Sequence, residues 1–201
     1  IGNNHHLEPL PGEDFQMFEK DLPGQNKTGL SFQQVSESLP LETCETINGS
    51  WGYNITDNNF KTTKELIHYL VTAAGLNTNF LLNVGPMPNG KIQQEFVDTL
   101  KAIGNWLNVN GETLYGTRGN IITPQDWGVV TGKGKNRFVH ILKNPGNNYI
   151  FLPGYTEKIK DAHLFNTRKK VKHKQLPEGL FLYLDNLSND SIDTIIELQV
   201  Q

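Results

Sequence analysis

The spacing of hydrophobic residues in the first part of the chain predicts helices that alternate with a strand. Thr62 and Glu65 have the spacing of a capping box, and the helix that they begin is expected to end in a left-handed turn at Gly75. The apolar run over residues 79–84 is closed by a Gly-Pro pair, which is typical of a buried parallel strand. Residues 92–107 repeat apolar side chains at helical spacing. Helix, strand and helix in this order indicate a βα-repeat fold, in which the loops after the strands carry the chemistry.

Beyond residue 117 the helical period gives way to strand-length runs that often alternate apolar and polar residues. Turn signals such as Pro-Gly and Ser-Asn separate these runs. About 80 residues of this kind predict a small antiparallel sandwich with one core between two sheets. The predicted strands are 137–142, 148–152, 158–165, 180–184 and 194–200. The sequence therefore predicts an α/β domain over residues 1–117 and a β-sandwich over residues 118–201.

The composition of the 201-residue chain limits its partners. With 36% hydrophobic residues it suits a globular protein, and no apolar run approaches the length of a membrane span. A net charge of −3 and a pI near 6.1 provide no general basic surface for nucleic acid or for an anionic membrane. The basic run over residues 168–174 is an exception, and we expect it to be the solvated face of a hairpin. The single cysteine, Cys44, excludes an internal disulfide.

The first residues bear on how much of the protein the chain contains. It opens at Ile1 without an initiator methionine, a signal sequence or a transit peptide. A start of this kind is expected when a sequence is cut inside a domain, at the end of a strand. We therefore expect the chain to be the C-terminal part of a longer protein.

Residues 38–53 hold the most informative group of polar and aromatic side chains. Glu42 and Glu45 precede a glycine-containing loop with Trp51 and Tyr53. Sugar hydrolysis uses carboxylates for proton transfer, and aromatic faces pack on the apolar side of a pyranose. The alternative is a strand that ends in a turn, with Trp51 in the core.

The segment over residues 2–28 is too long and too rich in proline and glycine for a simple connection, so we expect a functional loop. Its acidic residues, Asp21 among them, are expected to be solvated. His5 and His6 are adjacent, and adjacent histidines in an extended segment cannot easily bind one ion, so we expect no metal site. The chain has no nucleophile elbow. It also has no phosphate-binding loop and no dinucleotide motif, and we expect no cofactor.

Several short motifs, taken together and in order, resemble those of the α-L-fucosidases of glycoside hydrolase family 29. The resemblance runs over residues 1–117, and the combination of motifs is specific although each one is short. The motifs are Asn3-Asn4, Asp14-Phe15 with Glu19, Leu22-Pro23-Gly24, Glu42-Thr43-Cys44 with Thr46-Ile47, Ser50-Trp51-Gly52-Tyr53, Asn79-Phe80-Leu81-Leu82-Asn83-Val84-Gly85-Pro86 with Gly90, and Trp106-Leu107 with Gly111-Glu112 and Tyr115-Gly116.

The resemblance implies a fold and a reaction. Such enzymes fold as a (β/α)8-like (TIM) barrel followed by an antiparallel β-sandwich, so residues 1–117 would be the C-terminal part of the barrel. They hydrolyse terminal α-L-fucose of glycans with retention, without a metal or cofactor, and work outside the cytoplasm. Their nucleophilic aspartate lies upstream of the Asn-Asn motif. It is therefore expected outside this chain, which alone would lack activity.

The resemblance also implies roles for two carboxylates. Glu19 falls at the position of the family's acid/base glutamate. Glu42 matches the glutamate of a Trp-Glu pair, with Leu41 in place of the tryptophan, and it is the second choice as proton donor. Glu45 lies three residues further along an extended segment, so it should face away from Glu42 and be structural.

Three further residues are expected to bind the substrate. By the resemblance, Trp51 lines the fucose pocket near the methyl group of the sugar, and Tyr53 lies in the same loop. His5 stands where many family members carry an arginine that contacts the sugar.

Two alternatives remain open at this point. The chain could contain a non-catalytic carbohydrate-binding module, with the sandwich as the binder, or it could belong to a barrel hydrolase for another sugar. The sequence favours the enzyme because carboxylates and aromatic residues cluster in the first half. The larger aromatic residues of the second half are scattered along the sequence: Trp127, Tyr149, Tyr155 and Tyr183.

Overall fold

Short strands in the first half of the chain form one parallel sheet. The elements are β1 Gly2–Asn3, β2 Phe15–Glu19, β3 Leu41–Thr46, α1 Thr63–Gly75, β4 Thr78–Asn83 and α2 Gln94–Asn110. The order in the sheet is β1-β2-β3-β4, and all neighbouring strands are parallel. The carboxyl ends of these strands therefore meet at one edge of the sheet.

The structure is a computed structural model, and it describes residues 1–4, 6–185 and 190–201. By packing, the chain divides into a first unit of residues 1–73 and 77–109 and a second unit of residues 74–76 and 110–201. Within the described residues, no helix combines the length and the apolar content needed to cross a membrane.

Helix α1 begins with the predicted capping box but ends differently from the prediction. Thr62 N donates to Glu65 Oε2 over 2.7 Å, and Glu65 N donates to Thr62 Oγ1 over 3.2 Å. The predicted left-handed turn at Gly75 is wrong, because the residue with the positive φ, 55°, is Asn77. Gly75 is the last helical residue, and a Cβ there would lie 2.4 Å from Val129 Cβ. Close packing therefore requires this glycine.

Strand β2 lies inside the segment that the sequence predicts to be a loop. Its residue Gln16 is polar and yet 0% exposed. Gln16 Nε2 donates to Gln34 O over 2.8 Å, and Gln16 Oε1 accepts from Ser36 N over 2.8 Å. A buried amide that is satisfied by backbone groups thus takes the place of an apolar residue.

Asp21 corrects a second expectation for this segment, since it is 0% exposed rather than solvated. Burial acts to raise its pKa, but hydrogen bonds from Thr28 Oγ1 at 2.7 Å and from Lys27 N at 2.9 Å leave the pKa of Asp21 below its ordinary value. The ionised carboxylate fixes the backbone of the turn that follows β2.

Two antiparallel sheets make up the second unit. The strands are β5 Gly128–Lys133, β6 Asn136–Ile141, β7 Tyr149–Pro153, β8 Ile159–Leu164, β9 Lys172–Leu176, β10 Gly179–Tyr183 and β11 Thr194–Val200. Their orders are β5-β6-β11-β8 and β7-β10-β9. The predicted strands are confirmed as β6, β7, β8, β10 and β11. Strand β5 is not predicted by the sequence pattern, and β9 begins inside the basic run and extends past its end.

Both antiparallel sheets bury side chains in one hydrophobic cluster. Val139 and Ile196 contribute from the four-stranded sheet and are 0% exposed. Leu152 and Leu180 contribute from the three-stranded sheet and are equally inaccessible. Burial of each such side chain stabilises the fold by about 1.5–3 kcal/mol.

A buried chain of polar groups links β5, β6 and the segment before β11. Thr131 Oγ1 donates to Thr113 O over 2.6 Å, so it can only accept from His140 Nε2 at 3.1 Å. The other ring nitrogen of His140, Nδ1, lies 2.7 Å from Asp193 Oδ2. His140 is 0% exposed and Asp193 is 2% exposed. The imidazole therefore provides the partner of Oδ2 of the buried Asp193 carboxylate.

Replacing His140 by leucine should lower the free energy of unfolding by about 3–5 kcal/mol, because the buried Asp193 loses its partner. Urea denaturation monitored by circular dichroism measures this change. The double variant with Asp193→Leu should recover part of the loss, since it removes the stranded carboxylate. A loss below about 1 kcal/mol for His140→Leu would contradict this account of the pair.

Candidate active site

Side chains from the carboxyl ends of neighbouring parallel strands converge on Glu19. This residue is the last of β2, and Trp51 lies in the loop after β3. Trp51 Nε1 donates to Glu19 Oε1 over 2.9 Å, and Asn4 Nδ2, just after β1, donates to Glu19 Oε2 over 3.2 Å. Asn83, the last residue of β4, donates from Nδ2 to Trp51 O over 2.8 Å. Each strand of the sheet thus supplies one member of the group.

The carboxylate of Glu19 has a defined orientation and remains reachable. Its two oxygens accept from different donors, and both donors are neutral side chains. The residue is half-buried, so it keeps contact with the space in front of the sheet edge. A carboxyl group held in this way can give a proton to a bound molecule or take one from it.

The loop that carries Trp51 is built around the carboxylate of Asp57. Asp57 Oδ2 accepts from Gly49 N over 2.9 Å and from Ser50 Oγ over 2.8 Å. The Ser50 hydrogen bond is the main cause that holds the pKa of Asp57 below its ordinary value. The segment after β4 also packs against the loop, because a Cβ on Gly85 would lie only 2.5 Å from the carbonyl carbon of Gly52.

Lys20 is a part of the site that sequence reasoning missed. Its ammonium nitrogen lies 4.9 Å from the ring centroid of Trp51 and donates to Gly49 O over 2.9 Å. Its φ of 57° is uncommon for a residue other than glycine. Lys20 therefore covers part of the indole, and 36% of the Trp51 surface stays exposed. The only signal in the sequence is its place directly after Glu19.

Glu42 lies on the same side of the sheet as Glu19 but away from the edge. It is the second residue of β3, two positions before Cys44, and Cys44 pairs in register with Glu19. Two residues of strand correspond to about 7 Å. Glu42 is therefore set back from the point where the other groups converge.

Glu45 points to the opposite side of β3 from Glu42, as alternation along a strand requires. It is 7% exposed, and its Oε1 lies 3.3 Å from Lys61 Nζ. Lys61 Nζ also donates to Thr46 O and Asn48 O, each over 2.9 Å. The ion pair thus stabilises the start of the Trp51 loop from the side of β3 opposite Glu42.

Tyr53 and His5 are the two other residues predicted to bind the substrate. Tyr53 is half-buried in the same loop. Its backbone nitrogen packs so closely on Gly85 that a Cβ added to Gly85 would lie 2.6 Å from it. His5 lies outside the described residues. In the part of the chain that the structure describes, no three or more His, Cys, Asp and Glu side chains form a group that could hold a metal ion.

Comparisons with known proteins agree with one another. A family model described as alpha-L-fucosidase matches residues 1–112. Human plasma alpha-L-fucosidase is 37% identical over 133 residues, which are 60% of this chain and 27% of that protein. Human tissue alpha-L-fucosidase is 30% identical over 169 residues, which are 78% of this chain and 36% of that protein. The matched part therefore spans about a quarter to a third of these relatives.

Solved structures give the same result. Alpha-L-fucosidase isoenzyme 1 from Paenibacillus thiaminolyticus superposes with a TM-score of 0.77 at 33% identity, covering 94% of this chain and 45% of that structure. The Thermotoga maritima alpha-fucosidase in complex with fucose superposes with a TM-score of 0.73 at 26% identity, covering 94% of this chain and 43% of that structure. The family model, which matches more than half of the chain, decides the assignment: this chain belongs to the α-L-fucosidase family.

Proposed function

We propose that the chain is the C-terminal part of a retaining α-L-fucosidase that releases terminal α-L-fucose from glycans. The observation that carries this proposal is the position of Glu19, oriented by Trp51 and Asn4 at the carboxyl edge of a parallel sheet. Active sites of barrel enzymes lie at this edge. Membership of the family supplies the reaction class.

The proposed fold is the last part of a (β/α)8-like barrel over residues 1–117, followed by a β-sandwich over residues 118–201. Parallel strands in sequential order, with α1 between β3 and β4, support the barrel. Two antiparallel sheets that share one hydrophobic cluster support the sandwich.

In the proposed mechanism Glu19 acts twice. A nucleophilic aspartate, expected outside this chain, attacks the anomeric carbon of fucose while Glu19 protonates the departing glycosidic oxygen. Water then attacks the covalent intermediate, and Glu19 takes the proton from that water. Because Asn4 and Trp51 hold the two carboxylate oxygens, Glu19 needs little reorientation between the two steps.

Glu42 is proposed to orient the substrate rather than to transfer the proton. It shares a side of the sheet with Glu19, but it lies about 7 Å further back along β3. A carboxylate in that place can accept hydrogen bonds from sugar hydroxyls that reach below the edge of the sheet.

Trp51, Tyr53 and His5 are proposed to contact the sugar. The exposed part of the Trp51 indole can cover the C6 methyl group of fucose, while its N–H remains bound to Glu19. The proposed partners are fucosylated glycans, and the proposed location is outside the cytoplasm. Similarity to plasma fucosidases supports that location.

The first test separates Glu19 from Glu42 in the full-length enzyme. Glu19→Ala should lower the rate of hydrolysis of natural fucosides, whose leaving groups need a proton, by about 10²–10⁴-fold. It should spare the first step with a fucoside of a strongly acidic phenol. Azide, which needs no deprotonation, should then restore turnover and give a fucosyl azide of retained configuration, as product analysis by NMR can establish.

Glu42→Ala serves as the matched variant in this test. It should slow substrates with good and poor leaving groups by similar factors, and azide should not restore its turnover. Azide rescue of Glu42→Ala, with none for Glu19→Ala, would reverse the two roles.

The second test uses two substitutions of Trp51. Trp51→Phe keeps an aromatic face but removes the donor to Glu19, so kcat/KM for an aryl α-L-fucoside should fall by about 10–100-fold. The preference for the fucoside over the corresponding α-L-galactoside should change little, because the covering of the C6 methyl group remains.

Trp51→Ala should lower kcat/KM further and also narrow that preference. One methyl group in an apolar pocket is worth about 1–3 kcal/mol, so the ratio of the two kcat/KM values should drop measurably. An unchanged ratio in a folded Trp51→Ala enzyme would assign the indole to packing.

A further inference from the structure

The outer side of the three-stranded sheet carries aromatic residues that the core does not use. Tyr149 of β7 pairs in register with Tyr183 of β10, and Phe151 of β7 pairs with Phe181 of β10. These four residues, here termed the aromatic platform, alternate along their strands with the buried residues Ile150, Leu152, Leu180 and Leu182. The tyrosines that are distant in sequence are therefore direct neighbours in space.

The rings of the aromatic platform pack on one another and leave a surface. The Phe151 and Phe181 centroids are 4.6 Å apart, and the Tyr149 and Phe181 centroids are 5.6 Å apart. Tyr149 is 39% exposed, and the other three rings are half-buried. Mutual packing holds these side chains in place, so a ligand would meet a pre-ordered surface.

Two lysines extend the same surface across β9. Lys174 pairs in register with Phe181, and Lys172 pairs with Tyr183. The surface therefore has two rows, Phe151-Phe181-Lys174 and Tyr149-Tyr183-Lys172, about 10 Å across the three strands. Both lysines are exposed, and no described residue forms an ion pair or a side-chain hydrogen bond with either ammonium group. The patch is cationic although the whole chain has a net charge of −3.

Aromatic faces beside unpaired ammonium groups suit a ligand that has both apolar faces and negative charges. Ring faces pack on the C–H side of a pyranose, and a lysine binds sulfate or carboxylate as a point charge. We propose that the aromatic platform, with Lys172 and Lys174, binds an extended glycan that carries sulfate or carboxylate groups. The choice of a glycan over a nucleic acid rests on the proposed function.

Binding can be measured directly on the full-length enzyme by isothermal titration calorimetry at low salt. The probes are dextran sulfate and polygalacturonate as anionic glycans, with neutral dextran and polyuridylate for comparison. The expected result is that both anionic glycans bind more tightly than dextran and polyuridylate, and that added salt weakens them.

Three variants locate the binding surface. Lys172→Glu with Lys174→Glu should weaken dextran sulfate binding by about tenfold or more, and Tyr149→Ala should weaken it by about three- to tenfold. Lys91→Glu with Lys101→Glu, an equal charge change at two exposed positions of the first unit, is the matched control and should leave affinity within about twofold. Thermal unfolding midpoints verify that each variant is folded.

Several results would overturn the proposal: no binding of either anionic glycan, equal binding of neutral dextran, tighter binding of polyuridylate, or equal losses in the lysine variant of the platform and in Lys91→Glu with Lys101→Glu. The test is independent of catalysis. The readout is binding of dextran sulfate and requires no fucoside turnover, so failure of the proposed fucosidase activity and failure of the platform are separate outcomes.

Discussion

The hydrogen bond from Trp51 Nε1 to Glu19 Oε1 can form only because β2 and β3 are parallel neighbours. In that arrangement the residue that ends β2 and the loop that follows β3 leave the sheet on the same edge. Asn83 reaches the same loop because β4 is the next parallel strand. Parallel pairing is thus the constraint from which the candidate site follows.

Polar contacts hold the loop that carries Trp51. Asp57 accepts a hydrogen bond from the backbone of the Trp51 loop. Lys61 donates to the backbone at the start of that loop and forms an ion pair with the buried Glu45. Removing one member of such a group leaves another polar atom without its partner, which is costly in a half-buried place. This accounts for Asp57, Lys61 and Glu45 around a site in which Glu19 is the carboxylate oriented at the edge.

The sequence predicted the elements whose pattern is local. The capping box of α1 and five strands of the second unit follow from spacing and turn residues alone. Strand β2 was missed because its buried residue Gln16 is an amide satisfied by distant backbone groups, which no period of apolar residues reveals. The role of Gly75 was misread because Val129, the residue that demands a glycine there, is far along the chain.

The same distinction applies to the site and to the aromatic platform. Motifs identified Glu19 and Trp51, but their contact, and the cover that Lys20 gives to the indole, depend on strand register. Tyr149 and Tyr183 looked scattered for the same reason, since only the pairing of β7 with β10 brings them together.

The most direct measurement is a crystal structure of the full-length enzyme with fucose bound covalently through a slow 2-fluoro substrate. The labelled aspartate should lie outside residues 1–201, and the carboxyl group of Glu19 should stand about 5–5.5 Å from it, on the side of the departing oxygen. A structure in which Glu42 occupies that place, with Glu19 turned away from the sugar, would contradict the account.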